Sequence, residues 1–599
     1  MKSFLRWCLL LFLAVPSFSV FTGAASQPET IPVEQIHAGM RGVAYTVFEG
    51  VKPESMDVEV LGVLRNTNGP KGNVILVRLH GKKVEYTGVV AGMSGSPVYL
   101  DGKLAGALAF RIGQFSKEPI AGVTPIDDML EINELDKSAP AELQSAAHVG
   151  PHPDAGGEKI SGPGLPLAAG SQQPANLLQP IETPLVFNGF GEATLRRFAP
   201  QFASAGIVPV MGVGSMSDAK QPQPLEPGSA VSAVLVRGDM NIAATCTVTY
   251  SDANRLLACG HPLMQFGQVD MPMYKAQVLA TLPSPANAFK IVNTTEPAGA
   301  FVQDRHTGIL GRFGQEPHMI PVTLTIRGGS QPKRYHYEVL NNGRITPVAM
   351  MSTVFQALQG INEYGEDVSY RLNGRISVGG YPAVSMQNIF APADAGSPTS
   401  VMVATAVGER FSRIYENPYV RPDIKGVELD FDLVRERRWA RLESTRTDMT
   451  EARPGDEIVV EAVLRPYRGE RIVRQIAVKI PTSTPQGRLR ILISDGATLD
   501  RMRRMPSALG RTLDLASTIS LLNKEHANNR VYVSLMEANP EAMVQDKVMP
   551  TLPLSVMNVM EGMRGTQDMV VLGESSVNEA STRLDYAVTG AQVITLNIK

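Results

Sequence analysis

The chain has 599 residues, 43% of them hydrophobic, enough for about three or four domains with cores of their own. Its 56 Lys and Arg nearly balance 58 Asp and Glu, and the net charge of −2 leaves no electrostatic case for nucleic acid or an anionic membrane as partner. With three cysteines and no His pair at ligand spacing, a zinc site is disfavoured and no metal is expected.

Residues 1–25 carry Lys2 and Arg6, an apolar run from Trp7 to Val15, then Pro16 and the small-residue exit Gly23-Ala24-Ala25. That order predicts a secretory signal peptide and a periplasmic or extracellular protein. An uncleaved anchor is the competing reading, because Trp7 to Ala25 is uncharged and about 20 such residues can span a bilayer; Pro16 and the small polar residues favour cleavage. No other segment approaches 18 apolar residues, so no membrane-spanning segment is expected after signal removal. Cys8 leaves with the signal.

Residues 26–135 read as strands and turns. Arg41 to Phe48, Asp57 to Asn66 and Val74 to Leu79 are strand-like, and His80 ends the third. Strand-like Glu85 to Ala91 leads into Gly92-Met93-Ser94-Gly95-Ser96-Pro97, which has the form of a serine nucleophile loop. Glycines around Ser94 allow positive φ and let the N–H groups of Gly92 and Ser94 converge as an oxyanion hole. Asp101-Gly102 is a hairpin turn, so Lys103 to Phe110 returns as a strand. The nucleophile elbow of the α/β-hydrolases needs Gly-x-Ser-x-Gly before a helix; Ser96 stands where the last Gly should be and no helix follows, which disfavours that fold. Ala121 to Ile126 and Asp127 to Asn133 predict a closing strand and a helix.

From 136 to 179 Ala, Pro, Gly, Ser and Gln dominate without an apolar period, predicting a flexible linker. Residues 180–390 follow as a second β-rich unit, with helical spacing at Leu195 to Phe202 and Thr346 to Gly360. Within it, Cys246 and Cys259 stand symmetrically about the turn Ser251-Asp252-Ala253-Asn254, which makes them a disulfide candidate in an exported protein; two buried free thiols are the alternative. Residues 390–450 read as connecting strands with exposed charge, Arg435, Arg437, Arg438 and Arg441 forming a solvated face. A hairpin around Tyr467-Arg468-Gly469 predicts a β-sandwich-like module over 391–485. Residues 486–599 read as a mixed α+β module, with helices at Leu513 to Leu522 and Pro553 to Met563.

The stretch from Thr87 to Ala107, with its Gly-Met-Ser-Gly-Ser-Pro core followed by Asp-Gly-Lys-Leu-x-Gly-Ala, resembles the stage-IV-B sporulation serine peptidase family of the chymotrypsin-like clan. The pair Gly260-His261 after Leu257-Ala258-Cys259, and Gly308-Ile309-Leu310-Gly311, resemble further segments of that family. The likeness implies a chymotrypsin-like double β-barrel, with His261 as general base. Ser94 precedes His261, against the family order, so a circular permutation is implied; triads occur in several chain orders. The family's acid should lie near Leu79 or His80, where this chain has none. Asp304, 43 residues after His261, is the replacement candidate, and a structural turn Asp is its alternative; His80 itself could reach the cleft.

The fold expectation is therefore mainly β, a circularly permuted double barrel followed by β-sandwich-like and mixed α+β modules. The functional expectation is an exported serine endopeptidase acting on protein or peptide substrates through an acyl-enzyme, without a cofactor. Ser94 would be nucleophile, His261 base and Asp304 orienter. A catalytically silent scaffold that binds envelope proteins is the alternative.

Overall fold

The computed structural model describes residues 28–113, 118–137, 178–183, 185–204, 209–212, 220–265, 267–284, 288–329, 331–360, 367–392, 398–504, 513–544, 547–562 and 569–599. The expected signal segment and nearly all of the expected linker lie outside them.

Six strands close the first barrel: β1 (Arg41–Thr46), β2 (Glu54–Leu64), β3 (Val74–His80), β4 (Pro97–Leu100), β5 (Lys103–Ile112) and β6 (Ile120–Pro125). They pair in the order β1-β2-β3-β6-β5-β4, and β4 returns to β1 through Gly42–Leu100 and its neighbours. Alternation drives this closure. Met56, Val58 and Val60 on β2, and Ile75, Val77 and Leu79 on β3, point inward at 3% exposure or less; each such side chain stabilises by about 1.5–3 kcal/mol relative to exposure. The β4–β5 turn places Asp101 at φ 49° and Gly102 at φ 80°, as the Asp-Gly pair predicts. The expected strand before the serine loop is instead a short helix, Lys82–Thr87, which buries only Val84; one inward side chain in six does not sustain a strand's alternation. After the undescribed stretch, β7 (Leu178–Pro180) adds antiparallel to the end of β5.

Two short strands, β8 (Leu185–Asn188) and β9 (Pro209–Met211), lead to a second closed barrel. Its strands are β10 (Ala230–Gly238), β11 (Asn241–Ser251), β12 (Arg255–Ala258), β13 (Gly267–Leu282), β14 (Phe289–Arg305) and β15 (Gly308–Phe313). They pair in the order β10-β11-β12-β15-β14-β13, with β13 returning to β10, which repeats the strand order of the first barrel. β13 and β14 overshoot the barrel as a long hairpin arm. Gly50 of the first barrel exchanges two backbone hydrogen bonds with Val278 on that arm, at 2.7 and 2.9 Å.

The β10 side of this barrel extends into strands Met319–Arg327, Lys333–Leu340, Ser369–Val378, Val384–Phe390 and Ile424–Val434. Helices Glu192–Ser204, Ile345–Gln359 and Thr399–Tyr415 share its core. The last of these takes the first part of the stretch expected as connecting strands, which does hold strands further on at Ile424–Val434 and Trp439–Thr447. Its face Val403, Ala404, Val407 and Phe411 is fully buried, and Gly408 lets it approach Met351 closely. Arg437 is likewise not simply solvated: it stacks 4.2 Å over the Tyr467 ring at the joint with the next unit.

Nine of the C-terminal strands form one sandwich, beside a small sheet of Glu541–Val544, Lys547–Met549 and Met569–Leu572. A four-stranded sheet contains Trp439–Thr447, Glu457–Pro466, Ile472–Lys479 and Ala587–Thr589; a five-stranded sheet contains Glu451–Ala452, Gly487–Ser494, Arg530–Glu537, Ser575–Arg583 and Ala591–Ile598. Both sheets contribute to a single core that includes Ile458, Val460, Ile491, Val533 and Leu596. The boundary expected at 485 therefore falls inside one sandwich, because each sheet draws strands from both sides of it.

Candidate active site

The serine loop connects the third and fourth strands of its barrel region, between β3 and β4, and folds against the second barrel. Gly92 and Gly95 have φ of 95° and 91°. At Gly95 no other residue fits, since a Cβ there would lie 1.9 Å from the Thr247 carbonyl. That close approach creates a seam of hydrogen bonds. The Thr247 N–H donates to the Ser94 carbonyl at 2.7 Å, and the Thr247 and Thr249 hydroxyls donate to the carbonyls of Gly92 and Gly95 at 3.0 and 2.8 Å. The Gly95 N–H donates to Leu108 of β5 at 2.7 Å, and the Ser96 hydroxyl to Met93 at 2.7 Å. The N–H groups of Gly92 and Ser94 enter no hydrogen bond among the described residues.

His261 follows β12 across the same seam. Cys259 donates its N–H to Thr247 at 3.2 Å, and Thr124 of the first barrel donates its hydroxyl to the Gly260 carbonyl at 2.6 Å. A disulfide joins Cys246 of β11 to Cys259, with Cα atoms 5.3 Å apart, and so ties the residue two before His261 to the neighbouring strand.

Two buried atoms in this seam stand without hydrogen-bond partners among the described residues, and so are not hydrogen-bonded to each other as the sequence reading expected: Ser94 Oγ and His261 Nε2. Ser94 is 0% and His261 4% exposed. The ring's other nitrogen, Nδ1, lies 2.8 Å from the Pro262 carbonyl and so holds the proton, leaving a lone pair on Nε2. Burial lowers the His261 pKa, against the opposing pull of the Pro262 and Ile181 carbonyls, so the ring is neutral at pH 7. A neutral imidazole with a free lone pair is the form a general base requires.

The other candidates are placed differently. Asp304, at the end of β14, is fully buried, but its carboxylate accepts from the N–H groups of Leu263 and Met264, each at 2.8 Å. It fixes the loop that follows His261 and leaves the imidazole to Pro262. His80 faces Glu59 at 3.3 Å on a half-exposed surface and does not enter the seam. Among the described residues no cluster of His, Cys, Asp or Glu could hold a metal ion.

One residue in the site carried no signal in the sequence. Lys290, on the hairpin arm, lays its stem over Gly92, with Cβ, Cγ and Cδ all close to where a Gly92 Cβ would be, and donates its ammonium to Thr46 Oγ1 at 2.6 Å. It is 3% exposed, and burial lowers its pKa to about 7.

The fold is that of a chymotrypsin-like double barrel, with a serine and a histidine at its junction. Residues 22–129, which contain the whole Ser-bearing barrel, match the family described as SpoIVB peptidase S55. This supports the stage-IV-B sporulation peptidase family as the one to which that barrel is similar, and with it a peptidase acting on proteins. Neither a curated protein nor a solved structure matches the chain.

Proposed function

We propose that this chain is an exported serine endopeptidase that works through an acyl-enzyme. The observation that carries the reading is the pair of unpartnered buried atoms, Ser94 Oγ and His261 Nε2, at the junction of two barrels. Buried polar atoms without partners are costly, and a site that binds a reacting group is a reason to keep them. In the reaction, Nε2 takes the hydroxyl proton as Oγ attacks the scissile carbonyl. The Gly92 and Ser94 N–H groups receive the oxyanion, and the imidazolium then protonates the leaving amine. Water, deprotonated by the same ring, releases the acyl group. Asp304 acts as a positioning residue through the 263–264 backbone, and Pro262 holds the tautomer.

Export rests on the basic, apolar and small-residue order of residues 1–25 and on the Cys246–Cys259 bridge, which suits an oxidising compartment. The scaffold reading draws on one observation, the complete burial of Ser94. Turnover of a casein substrate by wild type, lost in both Ser94→Ala and His261→Ala, would favour the enzyme; equal background from all three would favour the scaffold.

A further inference from the structure

Strand β7 is an addition to the Ser-bearing barrel made by chain at the end of the expected linker, where the second unit begins. It runs antiparallel to β5, with Pro180 opposite Phe110, Gln179 opposite Arg111 and Leu178 opposite Ile112. The next residue, Ile181, donates its N–H to the Ala109 carbonyl at 2.8 Å. The neighbouring β5 carbonyl, Leu108, is the one that holds the Gly95 N–H of the serine loop. Ile181 thus docks one residue along β5 from the carbonyl that anchors the serine loop, and its own carbonyl favours the charged form of the His261 ring. Its side chain is 1% exposed and belongs to the first barrel's apolar cluster, along with Val90, Met93 and Leu108. Glu182 then turns away and accepts from Arg111 at 2.7 Å.

An extended peptide added to a strand edge gains affinity from main-chain bonds and selectivity from alternate side chains. A peptidase substrate must do this while presenting one carbonyl between Ser94 and His261. Resting on the serine peptidase reading above, we propose that Leu178–Ile181 occupies the acyl half of the substrate cleft as an internal competitive strand. The site it fills takes peptides with a branched apolar residue just before the scissile bond and proline before that.

The test is the rate of fluorophosphonate labelling of the full chain. Ile181→Asp places a charge where 1% exposure does not allow it, and Gln179→Pro removes the N–H that faces Arg111 without touching the apolar cluster. Both variants are expected to label at least about tenfold faster than wild type, an amount equivalent to about 1.4 kcal/mol of strand docking. The tetrapeptide aldehyde of sequence Leu-Gln-Pro-Ile, whose carbonyl carbon accepts Ser94 Oγ as a hemiacetal, should slow labelling of the variants. Folded variants that label at the wild-type rate and ignore the aldehyde overturn the inference and leave the peptidase reading standing. Absence of Ser94 labelling in every form overturns both.

Discussion

Ser94 and His261 occupy equivalent positions in two barrels of the same strand order, each lying between the third and fourth strand of its own six. The two connections meet through Thr247, which donates to the Ser94 carbonyl and accepts from Cys259. Any chemistry that uses both groups is therefore a property of the interface, because neither barrel holds both.

The direction of the His261 shift gives a pH dependence. Burial holds its pKa below the usual 6.5, so the base form persists to lower pH than in a free histidine. The acid limb of Ser94 labelling by a fluorophosphonate should have its midpoint below pH 6.5. A midpoint at or above that value would mean that His261 is not the proton acceptor.

Lys290 should cost stability. Its folded pKa of about 7 lies below the ordinary 10.5, so the unfolded chain binds more protons between those values and stability rises with pH across that window. At pH 7 and below the full penalty applies, on the order of several kcal/mol at about 1.4 kcal/mol per pKa unit. Lys290→Met should raise the denaturation midpoint at pH 6.5, with the advantage shrinking toward pH 10. A constant difference across that range would show that the ammonium is not buried in solution.

The disulfide braces the strand that bears His261. Replacing Cys246 and Cys259 together by serine removes a closed loop of sequence separation 13, for a loss of about 3 kcal/mol on the chain-entropy account. Labelling at Ser94 should slow as the position of His261 loosens. Unchanged denaturation midpoints with and without reductant would contradict this.

In the C-terminal sandwich, His526 lies between Asp500 at 2.6 Å and Glu579 at 3.2 Å. Burial works to lower its pKa, but the hydrogen bonds to both carboxylates prevail and raise it to about 9. A raised folded pKa contributes stability that is full below about 6.5 and is lost as pH rises through about 9. His526→Gln should therefore lower the melting temperature most at pH 6 and least near pH 10, measured calorimetrically on the full chain.

The parts of this molecule legible in the sequence are those fixed by local chemistry. The serine loop could be read because only glycine accepts the φ of Gly95, and the β4–β5 hairpin because Asp101-Gly102 suits its turn. His261 was reached through resemblance more than through pattern. Long-range pairing left no such trace. Lys290 meets Thr46 across 244 residues, and nothing in the arm's alternation announces that contact. Leu178–Ile181 borders a stretch of linker-like composition, so its docking on β5 depends on an edge supplied by another segment. Trp439–Thr447 pairs with Ala587–Thr589, which is why one sandwich read as two modules. Asp304 was expected to orient His261, with a structural turn Asp as the alternative; its carboxylate instead accepts from the backbone N–H groups of Leu263 and Met264, which sequence spacing does not reveal.

The central claim, that Ser94 is a nucleophile activated by His261, is tested most directly by mass-mapping the fluorophosphonate adduct. The account predicts one adduct, on the peptide containing Ser94, absent from Ser94→Ala, strongly reduced in His261→Ala and retained in Ser96→Ala, whose hydroxyl is already bonded to Met93. An adduct that survives Ser94→Ala and disappears in Ser96→Ala would contradict it, as would labelling indifferent to His261.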